Sequence, residues 1–211
     1  MAIKTQGTTV SVETALAITK PITGATATKP VVITSAAHGY ANGDIVKIVN
    51  IVGMVQLNER AFVVASSLSG SFELKGEDGT SFDAYISGGD SFKATLAPVG
   101  TVDGLPTLFA GQAQTIKVTH LKSVREETQQ GLAAAATVSM GMLLGDGDVG
   151  QTAMQTANLA QTERVYTIQR PDGKTACFVA FCDSFQIAAA QNDVYRVTSS
   201  LTLRAAQTSF A

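Results

Sequence analysis

The sequence predicts a mainly β protein: a β-sandwich or barrel with one flanking α-helix, interrupted by a small inserted all-β module. Three observations predict it. The C-terminal stretch from Thr162 to Ala205 reads as three consecutive strands. A single helical pattern precedes them. Residues 20–92 differ in texture from the rest and carry five short strands separated by turns.

The chain opens with a short polar arm and one strand, Thr8 to Glu13. Lys20 to Lys29 is rich in Thr, Ala, Gly and Pro and reads as a linker. Pro30 to Ser35 is a strand, and His38 to Asp44 is a turn with Asn42-Gly43 as its signal. Asp44 to Asn50, Ala61 to Ser66, Ser71 to Lys75 and Phe82 to Ser87 complete the five strands, and Gly88-Gly89 ends the segment. Spacing of this kind marks a self-contained small barrel or sandwich. Lys93 to Asp103 forms a strand broken at Gly104-Leu105-Pro106, and Thr115 to Thr119 forms another. The polar stretch His120 to Gly131 has no periodicity and reads as a loop. Ala133 to Leu144 is a strand rich in Ala and Met. Asp148 caps a helix, with Gln151 completing a capping box. Val149, Ala153, Ala157 and Ala160, joined by Met154, line its apolar face, and it ends near Gln161.

The last three strands organise the rest. Glu163 to Gln169 is closed by a turn at Pro171-Asp172-Gly173; Lys174 to Ile187 and Asp193 to Ala205 follow. In the third, Tyr195, Val197, Leu201 and Leu203 fall on one face, and Arg196, Thr198, Ser200, Thr202 and Arg204 on the other. That is a half-buried antiparallel strand. The second is apolar on both faces and belongs in the middle of a sheet, covered on both sides. Strands of a dozen residues span roughly 40 Å, long for a small domain and suited to a sheet that continues into an assembly. The predicted division is therefore a host domain at 1–19 and 93–211 and an inserted domain at 20–92.

Composition narrows the function. Charged residues are 15% of the 211, well below the usual quarter, and there is no Trp. The net charge of -2 leaves no basic excess to grip nucleic acid. Cys177 and Cys182 lie an odd separation apart on one strand, hence on opposite faces; they do not pair and match no zinc spacing. The N-terminus lacks a secretory signal, and no stretch is long and apolar enough to span a membrane. His38 and His120 have no nucleophile or carboxylate at a recognisable spacing and read as turn or surface residues. Gly145-Asp146-Gly147-Asp148 lacks the further ligands of a calcium loop, and no phosphate-cradling Gly-rich loop is present. An enzyme is not expected, nor a cofactor or metal. The loop His120, Leu121, Lys122, Ser123, Val124, Arg125, Glu126, Glu127, Thr128, Gln129, Gln130 mixes both charge signs, which suits a self-complementary protein contact or a solvated surface loop.

The order of elements resembles the major tail tube proteins of long-tailed, siphovirus-like bacteriophages. The residues that carry the likeness are Ile116 to Ser123, Glu126 to Leu132, the single helix, and the final strands including Phe178-Val179-Ala180-Phe181, with the opening Lys4 to Thr8. This covers about two-thirds of the chain; order and spacing carry it rather than one motif. The resemblance implies a tail-tube-type β-sandwich whose subunits form hexameric rings. Rings stack into a tube that conducts double-stranded DNA, with tape measure, tail terminator and baseplate proteins as further partners. It implies a virion protein assembled in the host bacterial cytoplasm. The loop His120 to Gln130 would bridge rings, and Arg196, Thr198, Ser200 and Thr202 are candidates to face the lumen.

The insert is similar to a small β module recurrent in phage structural proteins and to a β domain of ubiquitin-activating enzymes. Ala37-His38-Gly39-Tyr40, Asn42-Gly43-Asp44, Val52-Gly53-Met54, Leu57-Asn58 and Ser87-Gly88-Gly89 carry that likeness. Only the fold carries over, and the insert is expected to project outward as a decoration. Competing readings are another ring-forming phage protein, such as a tail terminator or decoration protein, and a glycan-binding β-sandwich. The lack of Trp argues against the last.

Overall fold

The protein is described by a computed structural model covering residues 6–104, 113–119, 124–133, 135–190 and 193–210. Among the described residues it is mainly β with one α-helix, as the patterning predicts. The strands are β1 (Thr9–Leu16), β2 (Lys20–Pro21), β3 (Gly24–Ala25), β4 (Val31–Thr34), β5 (Ile45–Val52), β6 (Arg60–Ala65), β7 (Ser71–Leu74), β8 (Ser87–Pro98), β9 (Ala113–Lys117), β10 (Thr128–Ala133), β11 (Thr137–Leu143), β12 (Glu163–Gln169), β13 (Thr175–Ala188) and β14 (Arg196–Leu203). The helix α1 spans Val149–Ala160, and a 3-10 turn spans Val55–Leu57.

One antiparallel sheet runs β11-β14-β13-β12-β1-β8-β5-β6-β7-β4-β3, with β2 beside β8. It curls until β6 lies over β13. Alternation along the strands then fills three cores. Phe178, Ala180 and Cys182 of β13 join Tyr166, Leu201 and the β11 methionines beneath α1, which contributes Met154 and Ala157. The opposite side of β13, Cys177 and Val179, meets Ile45, Ala61 and Val63 of β5 and β6. The inner sides of β5 and β6, with Val46, Ile48, Phe62 and Val64, close a third core with Ile33, Phe72 and Leu74. Each fully buried aliphatic side chain here contributes roughly 1.5–3 kcal/mol.

The expected central strand is thus covered on both faces from Ala176 to Ala180, but its far half, Asp183 to Ala188, is partly or fully exposed. Tyr195 is not on the buried face of β14; it precedes the strand and is 61% exposed. The segment expected as a strand at Phe82 to Ser87 is irregular, because its backbone packs against the turn at Gly53 instead of joining a ladder. A side chain at Gly53 would meet the Ala84 carbonyl oxygen at 2.2 Å. Gly88 and Gly89 do not end the segment. They lie inside β8, where a Cβ on Gly89 would strike Ile51 at 2.6 Å, so glycine here permits close approach within a strand. The stretch Lys20 to Lys29, expected as a linker, contributes the short strands β2 and β3.

β8 crosses the position where sequence texture changes. Ser87 to Lys93 pairs with β5, and Ala94 to Pro98 pairs with β1. A bulge at Thr14, opposite that crossing, turns Glu13 inward, where it accepts the Val165 N–H at 3.0 Å.

The helix is capped as expected: the Asp148 side chain accepts the Gln151 N–H at 2.8 Å. Its buried face is rotated from the expected one. Gly150, Gln151, Met154 and Ala157 face inward, while Val149 is 62% exposed and Ala160 lies in solvent. Gln151 does not close the capping box. Its amide donates to Leu143 O at 2.7 Å and Gly100 O at 3.3 Å and accepts the Gly145 N–H at 3.0 Å. The end of β11, the turn that follows it and the loop after β8 gain those partners from the one polar inward residue of the helix.

Gly150 sets how closely α1 meets β8, since a Cβ there would lie 2.5 Å from Pro98 O. Gly150→Ala should therefore lower stability by about 1–3 kcal/mol through overpacking, although Ala is the better helix former by about 1 kcal/mol. Urea denaturation checks the sign.

Candidate functional site

Two surfaces hold the residues the sequence singles out, and a third place, a buried joint, was not among them. The first is the hairpin β9–β10, a two-stranded sheet of its own. Thr128 pairs with Lys117, Gln129 with Ile116 and Gln130 with Thr115. The Val118 N–H donates to Glu127 O at 2.9 Å, and the Glu127 N–H donates to Thr119 Oγ1 at 3.0 Å. Lys117 and Glu126 form an ion pair across the strands. The expected loop is therefore strand from Thr128 onward. A Gln-rich segment shows no periodicity, yet a partner strand supplies its ladder. Val124 at the tip is fully exposed, and Arg125, Glu126, Glu127, Thr128, Gln129 and Gln130 are exposed too. His120, Leu121, Lys122 and Ser123 lie outside the described residues.

The second surface is the face of β11 and β14 away from α1. Thr202 lies opposite Thr137, Ser200 opposite Ser139, Thr198 opposite Gly141 and Arg196 opposite Leu143. Its charges are paired: Arg196 with Asp103, while Thr202 donates to Asp183. The result is a hydroxyl-lined face with no free lysine or arginine among Arg196, Thr198, Ser200 and Thr202. The cross-strand register follows from Val197, Leu201 and Leu203 turning toward the core. This face lies on the same side of the sheet as β5 and β6, which cover its neighbouring strands.

The third is the joint between residues 29–92 and the strands they cover. Lys47, nearly buried, pairs with Glu163 and, at 3.1 Å, with Glu59; the other Glu163 oxygen lies 3.4 Å from Arg204. Arg60 holds Glu77 through two bonds of 2.6 and 3.0 Å, donates to Ala206 O at 3.0 Å and stacks on Phe62. Sequence reading missed this joint. Its only signal was Lys47 and Arg60 placed inside apolar strands, and burial of such charges requires partners.

No group of three or more His, Cys, Asp or Glu stands ready to hold a metal among the described residues. His38, expected in a turn or at the surface, sits in the turn but is buried. Its Nδ1 accepts the Tyr40 N–H at 3.0 Å and its Nε2 donates to Leu68 O at 2.7 Å, with Phe72 and Tyr40 against the ring. A shallow groove of about 300 Å³ lies between α1 and β1, lined by Thr14, Val149, Thr152, Ala153, Thr156 and Arg164. Arg164 there faces Glu13 at 3.5 Å. No helix among the described residues is long and apolar enough to cross a membrane.

The two cysteines lie in different cores on opposite faces of β13, as their spacing requires, and both are unpaired. Burial pushes the Cys177 thiol up to about 12, partly offset by a hydrogen bond from Thr208, and pushes Cys182 up to about 11.

Residues 29–92 match the family model of the ubiquitin-activating enzyme E1 FCCH domain. The match covers a segment of the chain rather than the whole. It coincides with β4 to β7 and the first half of β8. No curated protein matches the chain.

Since both thiols stay protonated and enclosed near neutral pH, a disulfide reagent should find essentially none in the folded protein and two in urea. Rapid labelling of either without denaturant would contradict this packing.

Proposed function

We propose that the chain is a structural subunit of a phage tail tube, which assembles with copies of itself into stacked rings around a channel for double-stranded DNA. The observation that carries this reading is the hairpin β9–β10. An isolated two-stranded hairpin is at best marginally stable in water. This one pairs only with itself among the described residues and exposes its tip, Val124 included. A neighbouring subunit is the natural source of the missing packing. Long strands and the low charge fraction support the same reading. The subunit is structural rather than catalytic.

The placement of residues 20–92 on the tube exterior and the lumen-lining role of Arg196, Thr198, Ser200 and Thr202 compete. The hydroxyl face and the β5–β6 layer lie on one side of the sheet. An exterior insert turns that face away from the channel, and a hydroxyl-lined channel brings the insert to its wall. A neutral lumen would let DNA slide without a salt-dependent grip. The bulk of six inserts favours the exterior placement, so β14 then faces outward or toward a neighbour.

Negative-stain electron microscopy over a concentration series, with sedimentation, tests the assignment. Hollow tubes with a regular ring repeat are expected. Deleting Ser123 to Gln129 should leave rings or monomers without tubes. Normal tubes from that variant count against the hairpin's role, and rings that never stack point to a terminator-like protein.

A further inference from the structure

The first half of β13 is the segment of this chain most in need of cover. Thr175 to Cys182 contains no charge, and Ala176 to Ala180 is buried on both faces. β12 occupies one edge of this half. On the other edge β14 reaches only to Ala180, opposite Leu203. Among the described residues no strand lies beside that edge from Thr175 to Val179. An uncharged apolar strand with an open edge is a template for pairing with another chain.

The C-terminal segment lies along this edge instead. The Arg204 N–H donates to Val179 O at 2.9 Å, and the Thr208 N–H donates to Cys177 O at 2.9 Å. The Cys177 N–H donates to Thr208 Oγ1 at 2.9 Å. Ala206 is held through its carbonyl by Arg60, and Phe210 lies under the Arg170 guanidinium at 5.0 Å. The segment is not a strand. It advances four residues, from Arg204 to Thr208, while β13 advances two, from Val179 to Cys177. A side-chain oxygen stands where a ladder would place a backbone carbonyl. The cover is thus a strap held by few bonds, cheaper to open than a strand in register.

We infer that residues 204–210 are a releasable edge guard, and that the edge beneath them, Thr175 to Val179, is a pairing surface for the same segment of a second copy. Thr208 meets Cys177 with its N–H as donor and its Oγ1 as acceptor, the pattern of a hydrogen-bonded residue pair in an antiparallel ladder, and its hydroxyl also donates to Cys177 O at 3.1 Å. A second copy meets that pattern by placing its own Cys177 there. Ala176 then lies opposite Phe178 and Thr175 opposite Val179, with no like charges facing. The contact is two-fold and self-complementary. The guard acts whether copies go on to form rings or stop at dimers.

Two measurements test it. A chain truncated after Leu203 should sediment as a discrete dimer, with association at least about tenfold tighter than in the full chain. A truncated chain that stays folded and monomeric overturns the proposal, and so does open-ended aggregation without a dimer. If truncation prevents folding, hydrogen exchange of the intact chain decides. The Cys177 amide points at the strap, and by ladder alternation the Phe178 amide points at β12. Cys177 should exchange at least about tenfold faster through local strap opening. Equal rates would mean that the strap opens only with the whole sheet, which overturns the inference.

Discussion

The enclosure of β13 is the constraint on which the remaining architecture depends. An uncharged strand of small and aromatic residues is stable only if both faces and both edges are shielded from water and from other chains. Each shield comes from a different part of the sequence. α1 covers the Phe178 face, β5 and β6 cover the Cys177 face, β12 pairs with one edge, and β14 followed by the C-terminal segment occupies the other. The sheet curls because β6 must lie over β13, and β8 supports the curl by pairing with β5 through one half and β1 through the other.

Buried polar groups hold these layers in register. Gln151 bonds three backbone groups beneath the helix, Glu13 reaches Val165 from a bulge, and Lys47 ties β5 to Glu163. These contacts add little to stability individually, because desolvation offsets much of their attraction. Leaving any of them unpaired costs more than the contact contributes. Their effect is to exclude other registers of strands whose apolar residues are similar in size.

The surface is low in charge and carries exposed apolar side chains such as Ile18, Leu68, Ile86 and Leu159. The hydroxyl face of β11 and β14 offers no basic grip. The hairpin β9–β10 and the strap over β13 each present strand backbone whose cover is partial. The small net charge of -2 likewise leaves no basic excess. The segment that matches the FCCH domain family contributes a layer of the core in this chain, through Ile45, Ala61 and Val63.

Local pattern was sufficient for the fold class, the ends of β12, the Asp148 cap, the end of the helix near Gln161 and the opposite faces of the cysteines. Those features depend on period and on single-residue chemistry, which neighbours in sequence report. The hairpin residues were visible as an exposed polar stretch, but their pairing was not, because Thr128 to Gln130 owe their strand to β9 rather than to propensity. The helix rotated because Gln151 bonds the backbone of Gly100, far off in sequence, together with that of Leu143 and Gly145 just before the helix. Gly88-Gly89 reads as a stop, yet Ile51 and Ile22 press against a strand there. The joint at Lys47, the crossing of β8 and the strap on Cys177 join residues far apart along the chain, so only the tertiary structure could decide them.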